Sequence, residues 1–497
     1  MTKVSKKHSL DFIFHPKSIA IVGVSSNEND GGHFKALLNS EYHKNHTLYP
    51  VNPKMNKIKN FVCYPSILEC PTDIDYVISR VPAPLVLDLV KQCIEKKVKT
   101  LHLFTAGFGE TGEKDREKLG TEILKMTKNA GIRVIGPNCM GLYVPEEQIS
   151  FTEEAPPSES GDVFVASQSG VLAAEFIFRL ASRGIRFSKV VSFGNGADLS
   201  VSDFLEYAAN DNDTKYILSY IEGINDGKAF LKALKLCALR KPTIIIKGGL
   251  TEEGARAASS HTGSLAGSAE IFESLCKQFG VILVDSIEEA QDILIALKTS
   301  LNTIKNNDVV SISSGGGNSV LSSDTISKTG LSLPIIDKDV QNKLRSFIPM
   351  AGTSIYNPID FGVGSNQIKL LIKLFKILSK NKRIDCFYYS YGLMPWMNNK
   401  NTKANTLSSI GSLNIKNAFS KKEFENDSFN ILISAFKSLQ KELKLPISII
   451  HRSRINGSLD EVNSLARTAL ENGVPFFDSS ERASKAIKKV IEWNNNR

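Results

Sequence analysis

One imidazole is singled out by its neighbours. His261 lies in the run Ala257-Ala258-Ser259-Ser260-His261-Thr262-Gly263-Ser264-Leu265-Ala266-Gly267, after a Lys-Gly-Gly turn at 247–249 and before a stretch of good helix formers. Small residues and glycines on both sides describe a mobile loop, not a packed core. A histidine that collects a phosphoryl group at one place and delivers it at another needs that setting. Nothing bulky hinders its approach, and glycines absorb the backbone change. On residue type alone, a surface-loop histidine with no role fits the same segment.

Three further segments carry residue types suited to such chemistry. Ser167-Gln168-Ser169-Gly170 follows an apolar strand and opens a helix, so its backbone N–H groups and the positive end of the helix dipole suit a phosphate. A plain N-cap with a tight turn fits these four residues equally. Ser314-Gly315-Gly316-Gly317-Asn318-Ser319 repeats the pattern further along. Glu222 stands at the end of the strand Tyr216–Ile221, where open α/β sheets place active groups. A carboxylate there either orients an imidazole and raises its nucleophilicity or caps the next helix. Two segments point away from other chemistries. Gly23-Val24-Ser25-Ser26-Asn27 lacks the Gly-x-Gly-x-x-Gly spacing of a dinucleotide fingerprint, which argues against a nicotinamide-dependent oxidoreductase. Gly136-Pro137-Asn138-Cys139-Met140-Gly141 reads as a tight turn at a strand end, and no base is fixed near Cys139, so its thiol is expected to be structural.

The elements that must position these residues alternate between strand and helix almost throughout, which predicts parallel sheets covered by helices. Ser18–Val24, Tyr76–Ser79, Thr100–Phe104 and Arg133–Ile135 read as strands of a doubly wound first unit, with helices from about His33, over Pro84–Lys97 and over Glu113–Asn129. Glu153–Gly161 is rich in Pro, Ser, Gly and Glu and reads as a linker. Strands are then expected at Asp162–Ala166, Lys189–Val191, Tyr216–Ile221, Thr243–Ile246 and Val281–Val284. A third unit opens at Asp308–Ile312, with later strands near Cys386–Tyr389 and Ile447–Ile450 and a terminal helix from about Glu481. The second and third units open alike: a short apolar strand, a Ser/Gly turn and a helix. Asn398–Asp427, rich in Asn, Lys and Ser, reads as a long surface loop. The expected boundaries are 8–148, 160–300 and 305–497.

Composition narrows the class. A chain of 497 residues, 42% hydrophobic and 23% charged, has the make-up of a soluble globular protein of two to four domains. No apolar run approaches the roughly 20 residues that span a bilayer, and the basic N-terminus has no apolar stretch behind it. The cytoplasm is the expected location, without a membrane partner. Seven dispersed cysteines, none spaced Cys-x-x-Cys, argue against a disulfide framework and against a metal site. A net charge of +9 suits polyanionic ligands such as CoA or nucleotides, but no Lys/Arg block marks a nucleic-acid surface.

Taken in order, these residues resemble the α part of ADP-forming acetyl-CoA synthetases, within the wider succinyl-CoA synthetase superfamily. The resemblance runs from about Phe14 to Arg497. It is carried by Pro16-Lys17-Ser18-Ile19-Ala20-Ile21-Val22-Gly23, Tyr49-Pro50-Val51-Asn52-Pro53-Lys54, Thr105-Ala106-Gly107-Phe108, Gly136-Pro137-Asn138, Ser167-Gln168-Ser169-Gly170, Ser192-Phe193-Gly194-Asn195, Ser260-His261-Thr262-Gly263, Asn357-Pro358-Ile359-Asp360 and the closing 475–486. It implies an α/β protein: a Rossmann-like CoA-binding domain followed by two flavodoxin-like CoA-ligase domains. It also implies that acyl-CoA and phosphate give an acyl phosphate, that the acyl phosphate phosphorylates a histidine, and that the histidine passes the group to ADP or GDP. On this resemblance His261 is the phosphoryl carrier and Glu222 the carboxylate that steadies it. Ser167, Gln168, Ser169 and Gly170 cradle phosphate, while Ser25, Lys54, Val81, Pro82 and Asn138 line the CoA site.

The sequence departs from that pattern twice. Asn29-Asp30-Gly31-Gly32 stands where many relatives carry a Gly-Lys-x-Gly-type turn. No ATP-grasp part is found, so the resemblance implies a separate β chain that holds ATP or ADP with Mg2+, in an α2β2 assembly. The carboxylic acid is not readable. The competing expectation is a CoA- or acyl-CoA-binding regulatory protein that kept the fold and lost turnover.

Overall fold

In the computed structural model the described residues are 8–25, 32–109, 112–155, 159–262, 268–362, 368–391, 428–451 and 459–496, with the backbone alone described for 258–262 and 428. The turn expected at 29–32 lies outside them except for Gly32, as does the expected loop Asn398–Asp427. The chain divides into two compact units, residues 1–181 with 186–290, and residues 182–185 with 291–497.

Short runs of Ile, Val, Leu and Tyr buried on both faces are what a helix-covered parallel sheet requires. Unit one holds two such sheets. The first runs Thr47–Val51, Ser18–Val22, Tyr76–Ser79, Thr100–Leu103, Arg133–Ile135, all parallel. Helix Ala83–Glu95 shows how its cover forms. A proline in its first turn presets the backbone, and Val86, Leu89, Val90 and Cys93 recur at three- and four-residue spacing on the buried face. The second sheet runs Ile282–Val284, Thr243–Lys247, Tyr216–Ile221, Val163–Ser167, Phe187–Ser192 and Gly141–Tyr143. Its first five strands are parallel and the last is antiparallel.

Strand Gly141–Tyr143 was not among those expected from the sequence. The chain enters the second sheet there, before the polar stretch at 153–161. The hinge is a close approach: Gly141 has φ +88°, and a Cβ on it would collide with the His102 ring.

The sheet of unit two runs Ile359–Asp360, Val309–Ser313, Cys386–Tyr391, Ile447–His451, Phe476–Phe477, all parallel. Helices Gly316–Lys328, Ile368–Leu378 and Ser480–Asn495 are among those of this unit. Counted in chain order, the parallel strands of every sheet stand 2-1-3-4-5, the doubly wound flavodoxin order. The fold is thus α/β with three parallel sheets. Among the described residues, no helix is long and apolar enough to cross a membrane.

Two histidines lie fully inside unit one. Burial lowers the pKa of His33 from its usual 6.5 to about 4 and that of His102 to about 3. Because both folded values lie below the unfolded value, acid favours the unfolded chain. The loss begins as pH falls below about 6.5 and grows until the folded groups themselves titrate. At pH 5 each histidine is expected to withdraw about 2 kcal/mol of stability. Calorimetric melting at pH 7.5 and pH 5 checks this: the melting temperature of wild type falls, and the fall shrinks in His102→Gln, which takes up no proton. An equal fall in both proteins contradicts the assignment.

Candidate functional site

The five strands of the first sheet all end at one edge. Gly23–Ser25, Asn52–Lys54, Arg80–Pro82, Phe104–Gly107 and Gly136–Asn138 follow them in turn. Open α/β sheets bind ligands at this edge, where the strand order reverses. Here the reversal falls between Ser18–Val22 and Tyr76–Ser79, so Ser25 and the pair Val81 and Pro82 flank it. The loops are tied to one another. Asn52 donates its side-chain N–H to the Val24 carbonyl at 2.7 Å and accepts the Lys54 N–H at 2.9 Å. Thr105 donates its hydroxyl to the Val81 carbonyl at 2.7 Å, and the Asn138 N–H donates to the Thr105 carbonyl at 3.1 Å. Ser25, Lys54, Val81, Pro82 and Asn138 therefore share one edge.

The second sheet gathers the other candidates. Ser167 closes its strand, and Gly170 starts helix Gly170–Ser182. Ser169 caps that helix by accepting the Leu172 N–H at 3.4 Å, and the Ser167 hydroxyl donates to the Ser169 carbonyl at 2.7 Å. The first N–H groups of a helix have no intrahelical acceptor, so this turn still presents donors to an anion.

Gln168 does more than its backbone suggested. Its Oε1 accepts the N–H groups of Glu222, at 2.8 Å, and Gly223, at 3.1 Å, while its own N–H donates to the Tyr220 carbonyl at 3.0 Å. The Glu222 turn is thereby clamped to the Ser167–Gly170 turn. Glu222 accepts the Tyr220 hydroxyl at 3.1 Å. Its carbonyl accepts Lys247 Nζ at 2.7 Å, and Lys247 also donates to the Gly248 carbonyl. Burial pulls the Lys247 pKa down, with Glu222 opposing it. Helix Gly227–Arg240 is capped instead by Asp226, which accepts the N–H groups of Lys228 and Ala229 at 2.9 and 3.0 Å. Glu222 is not that cap.

The loop expected around His261 is corrected in part. His261 falls in the last turn of helix Glu252–Thr262. Thr251 begins the helix by accepting the Gly254 N–H at 3.0 Å, and Ala255, Arg256 and Ala257 propagate it. The His261 side chain and residues 263–267 lie outside the described residues.

The two sheet edges are joined by the turn 136–140. Its Gly136 and Pro137 carbonyls each accept at 3.0 Å, from Ala197 and Asn195 respectively. The Met140 N–H donates to the Ser192 hydroxyl at 3.1 Å. Gly194, at φ +54°, sits so close that a Cβ would collide with the Pro137 and Asn138 carbonyls. Met140 then reaches the Ser167–Gly170 turn, since a Cβ on Gly170 would stand 2.7 Å from Met140 Cγ. Cys139 is buried and its thiol is pushed well up by burial, which disfavours a thiolate nucleophile.

In unit two, the turn before helix Gly316–Lys328 is held by Asp360, whose Oδ1 accepts the N–H groups of Gly315 at 3.0 Å and Gly362 at 3.1 Å. Sequence reasoning missed Tyr220, Lys247 and the side-chain role of Gln168. Their local signal was a polar side chain at or beside the end of an apolar strand: Gln168 after Val163–Ser167, Tyr220 near the end of Tyr216–Ile221 and Lys247 closing Thr243–Lys247. Among the described residues, no group of three His, Cys, Asp or Glu is arranged to hold a metal.

Residues 17–145 match the family described as a CoA binding domain, and residues 160–297 match the succinyl-CoA ligase like flavodoxin domain. The fold and these two matches define an α/β CoA-ligase chain. The chain is 36% identical over 376 residues to acetate–CoA ligase [ADP-forming] I of Archaeoglobus fulgidus, covering 76% of this chain and 54% of that protein. The chain thus spans about half the length of that relative. It is 31% identical over 495 residues to acetate–CoA ligase [ADP-forming] I subunit alpha of Pyrococcus furiosus, covering 98% of each. The solved structure of Ca. Korarchaeum cryptofilum dinucleotide forming acetyl-coenzyme A synthetase 1, in complex with phosphate and ADP, aligns with a TM-score of 0.74 at 28% identity. That alignment covers 98% of this chain and 97% of that one. This chain belongs to the family of ADP-forming acetate–CoA ligase alpha subunits, a family of acid–thiol ligases.

The clamp made by Gln168 has a direct consequence. In Gln168→Leu the N–H groups of Glu222 and Gly223 lose their acceptor, each at about 1–3 kcal/mol. Urea denaturation is expected to register a loss of that order. A change below about 0.5 kcal/mol, the size of an ordinary surface substitution, would show that the clamp is not needed.

Proposed function

We propose that this chain is the CoA-binding and phosphoryl-relay part of a ligase that interconverts acid, CoA and ATP with acyl-CoA, ADP and phosphate. The observation that carries the reading is the convergence of two sheet edges through the turn 136–140. One edge holds the CoA candidates, and the other holds a helix-opening turn clamped to the backbone of Glu222. The proposed division is a CoA-binding domain over 8–148, a ligase domain with the histidine segment over 160–300 and a second ligase domain over 305–497.

In the proposed direction, phosphate attacks the thioester carbonyl. The C–S bond breaks, CoA leaves as the thiol, and an acyl phosphate remains. Ser25, Lys54, Val81, Pro82 and Asn138 hold CoA, while the turn Ser167, Gln168, Ser169 and Gly170 holds the phosphate oxygens against the helix dipole. The His261 imidazole attacks phosphorus, the carboxylate leaves, and phosphohistidine forms. Glu222 orients the imidazole by accepting its other ring N–H, which places the free nitrogen as nucleophile. The phosphoryl group then passes to a nucleoside diphosphate. We assign that nucleotide and its Mg2+ to an ATP-grasp β chain, in keeping with the subunit-alpha relatives, and take α2β2 as the assembly.

Mass analysis of the full chain after incubation with acetyl-CoA, a panel of other acyl-CoA thioesters and phosphate tests the reading. One acid-labile phosphoryl group is expected on wild type and none on His261→Ala. Glu222→Gln is expected to slow its appearance by roughly two orders of magnitude. If no chain is labelled, even with a candidate β chain and ATP, the enzyme reading falls and a CoA-binding regulatory protein takes its place.

A further inference from the structure

Beneath the joining turn lie two imidazoles that the proposed chemistry does not use. His33 is 3% exposed and His102 is 1% exposed, and their ring centroids stand 5.2 Å apart, edge to face. His33 Nε2 lies 2.9 Å from the Met140 carbonyl, and His102 Nε2 lies 3.1 Å from the Cys139 carbonyl. A carbonyl oxygen only accepts, so both Nε2 atoms carry the proton. Both Nδ1 atoms are therefore acceptors, and among the described residues neither has a hydrogen-bond partner. Each ring instead spends its one N–H on a backbone carbonyl, a bond that an apolar ring of similar size could not make. Packing alone does not account for this pair.

The pair's two sides lead to the two halves of the site. His33 is the first residue of helix His33–Asn39. The residue before it, Gly32, packs so closely on the Arg80 guanidinium that a Cβ would collide with it, and Arg80 borders Val81 and Pro82 at the CoA edge. His102 belongs to the strand that ends at the Phe104–Gly107 loop. On the far side, Met140 holds the Ser192 hydroxyl through its N–H and packs on Gly170 of the phosphate turn. We propose that His33 and His102, by gripping the consecutive carbonyls of Cys139 and Met140, are positioning residues that couple CoA occupancy at the first sheet edge to the geometry of the phosphate turn Ser167–Gly170. This coupling rests on the proposed CoA and phosphate sites.

Calorimetric titration of the full chain with CoA, with and without inorganic phosphate, tests it. In wild type, phosphate is expected to change the CoA Kd by about fivefold or more. In His33→Phe and His102→Leu that factor is expected to fall to near one, while the Kd for CoA alone moves by less than about threefold. His33→Gln and His102→Gln retain an N–H donor near the same place and are expected to restore the coupling. Two results overturn the inference: wild type binding both ligands without coupling, or the apolar variants keeping it in full. Wild type binding neither ligand would instead sink the functional reading, and the inference with it. Should the apolar variants fail to fold, hydrogen exchange of wild type decides. CoA must slow exchange at residues 139–140 and 169–172, and unchanged exchange there with CoA bound overturns the coupling.

Discussion

The turn 136–140 is the constraint on which the rest of unit one depends. A parallel sheet offers a ligand edge wherever its strand order reverses, and this unit contains two such edges on two sheets. Without a joint they would be two independent edges. Four backbone donors remove that independence: Asn138 onto Thr105, Asn195 onto Pro137, Ala197 onto Gly136 and Met140 onto Ser192. Because backbone rather than long side chains makes the joint, the relative placement of the edges inherits the stiffness of the strands on either side. Group transfer between two bound molecules needs that stiffness, since misplacement of reacting atoms by about 1 Å is expensive in rate. It also explains why Gly194 admits no side chain: the two loops approach to backbone contact.

The same unit places polar groups where burial is costly, and each case reveals a different solution. Lys189 is buried with its ammonium between Asp211, at 2.9 Å, and Asp213, at 3.2 Å, so the charge is compensated. Lys247 is buried with two backbone carbonyls as acceptors, an arrangement that pairs two of its N–H groups but leaves burial to lower its pKa. His33 and His102 discard charge altogether and act as neutral donors. These choices follow position. Lys189 and its two carboxylates sit toward the start of strand Phe187–Ser192, away from the Ser192 end that meets the joining turn. The lysine and the histidines stand beside the turns that carry candidate site residues, and each donates to a backbone carbonyl there.

Legibility from sequence followed the same physics. Tyr216–Ile221 and Thr243–Lys247 were readable because strands buried on both faces become unbroken apolar runs. Thr47–Val51 was not, since Pro50 lies within it; the proline is tolerated because this is the edge strand of its sheet. Ile359–Asp360, Phe476–Phe477 and Gly141–Tyr143 are two or three residues long and carry no periodicity. Around His261 two signals competed. Glycine and serine content favoured a loop, whereas Ala255, Arg256 and Ala257 behind a threonine cap favoured a helix, and the helix prevails through Thr262. Strand ends marked Glu222 and the Ser167–Gly170 turn as candidates. The bond that joins them could not be read, because Gln168 reaches across 54 residues to its acceptor role and nothing local encodes that partner.

The recurrence of one strand order in three sheets makes the differences between their turns informative. In the second sheet and in unit two, a first strand ends in Ser and Gly and feeds a helix, and in each a side-chain oxygen fixes the turn. In the second sheet that oxygen belongs to the neutral amide of Gln168, which gathers the N–H groups of the turn after the third strand. In unit two it belongs to the Asp360 carboxylate, which comes from the second strand and accepts the Gly315 N–H of the helix-opening turn itself. The electrostatic result differs. A helix N-terminus favours one negative charge close by. In unit two the Asp360 carboxylate brings that charge to the turn itself, whereas in the second sheet the oxygen that fixes the turn is a neutral amide. An identical backbone plan therefore yields one turn fixed by a charged oxygen and one fixed by a neutral oxygen, and the distinction lies in a single side chain reaching in from a different strand.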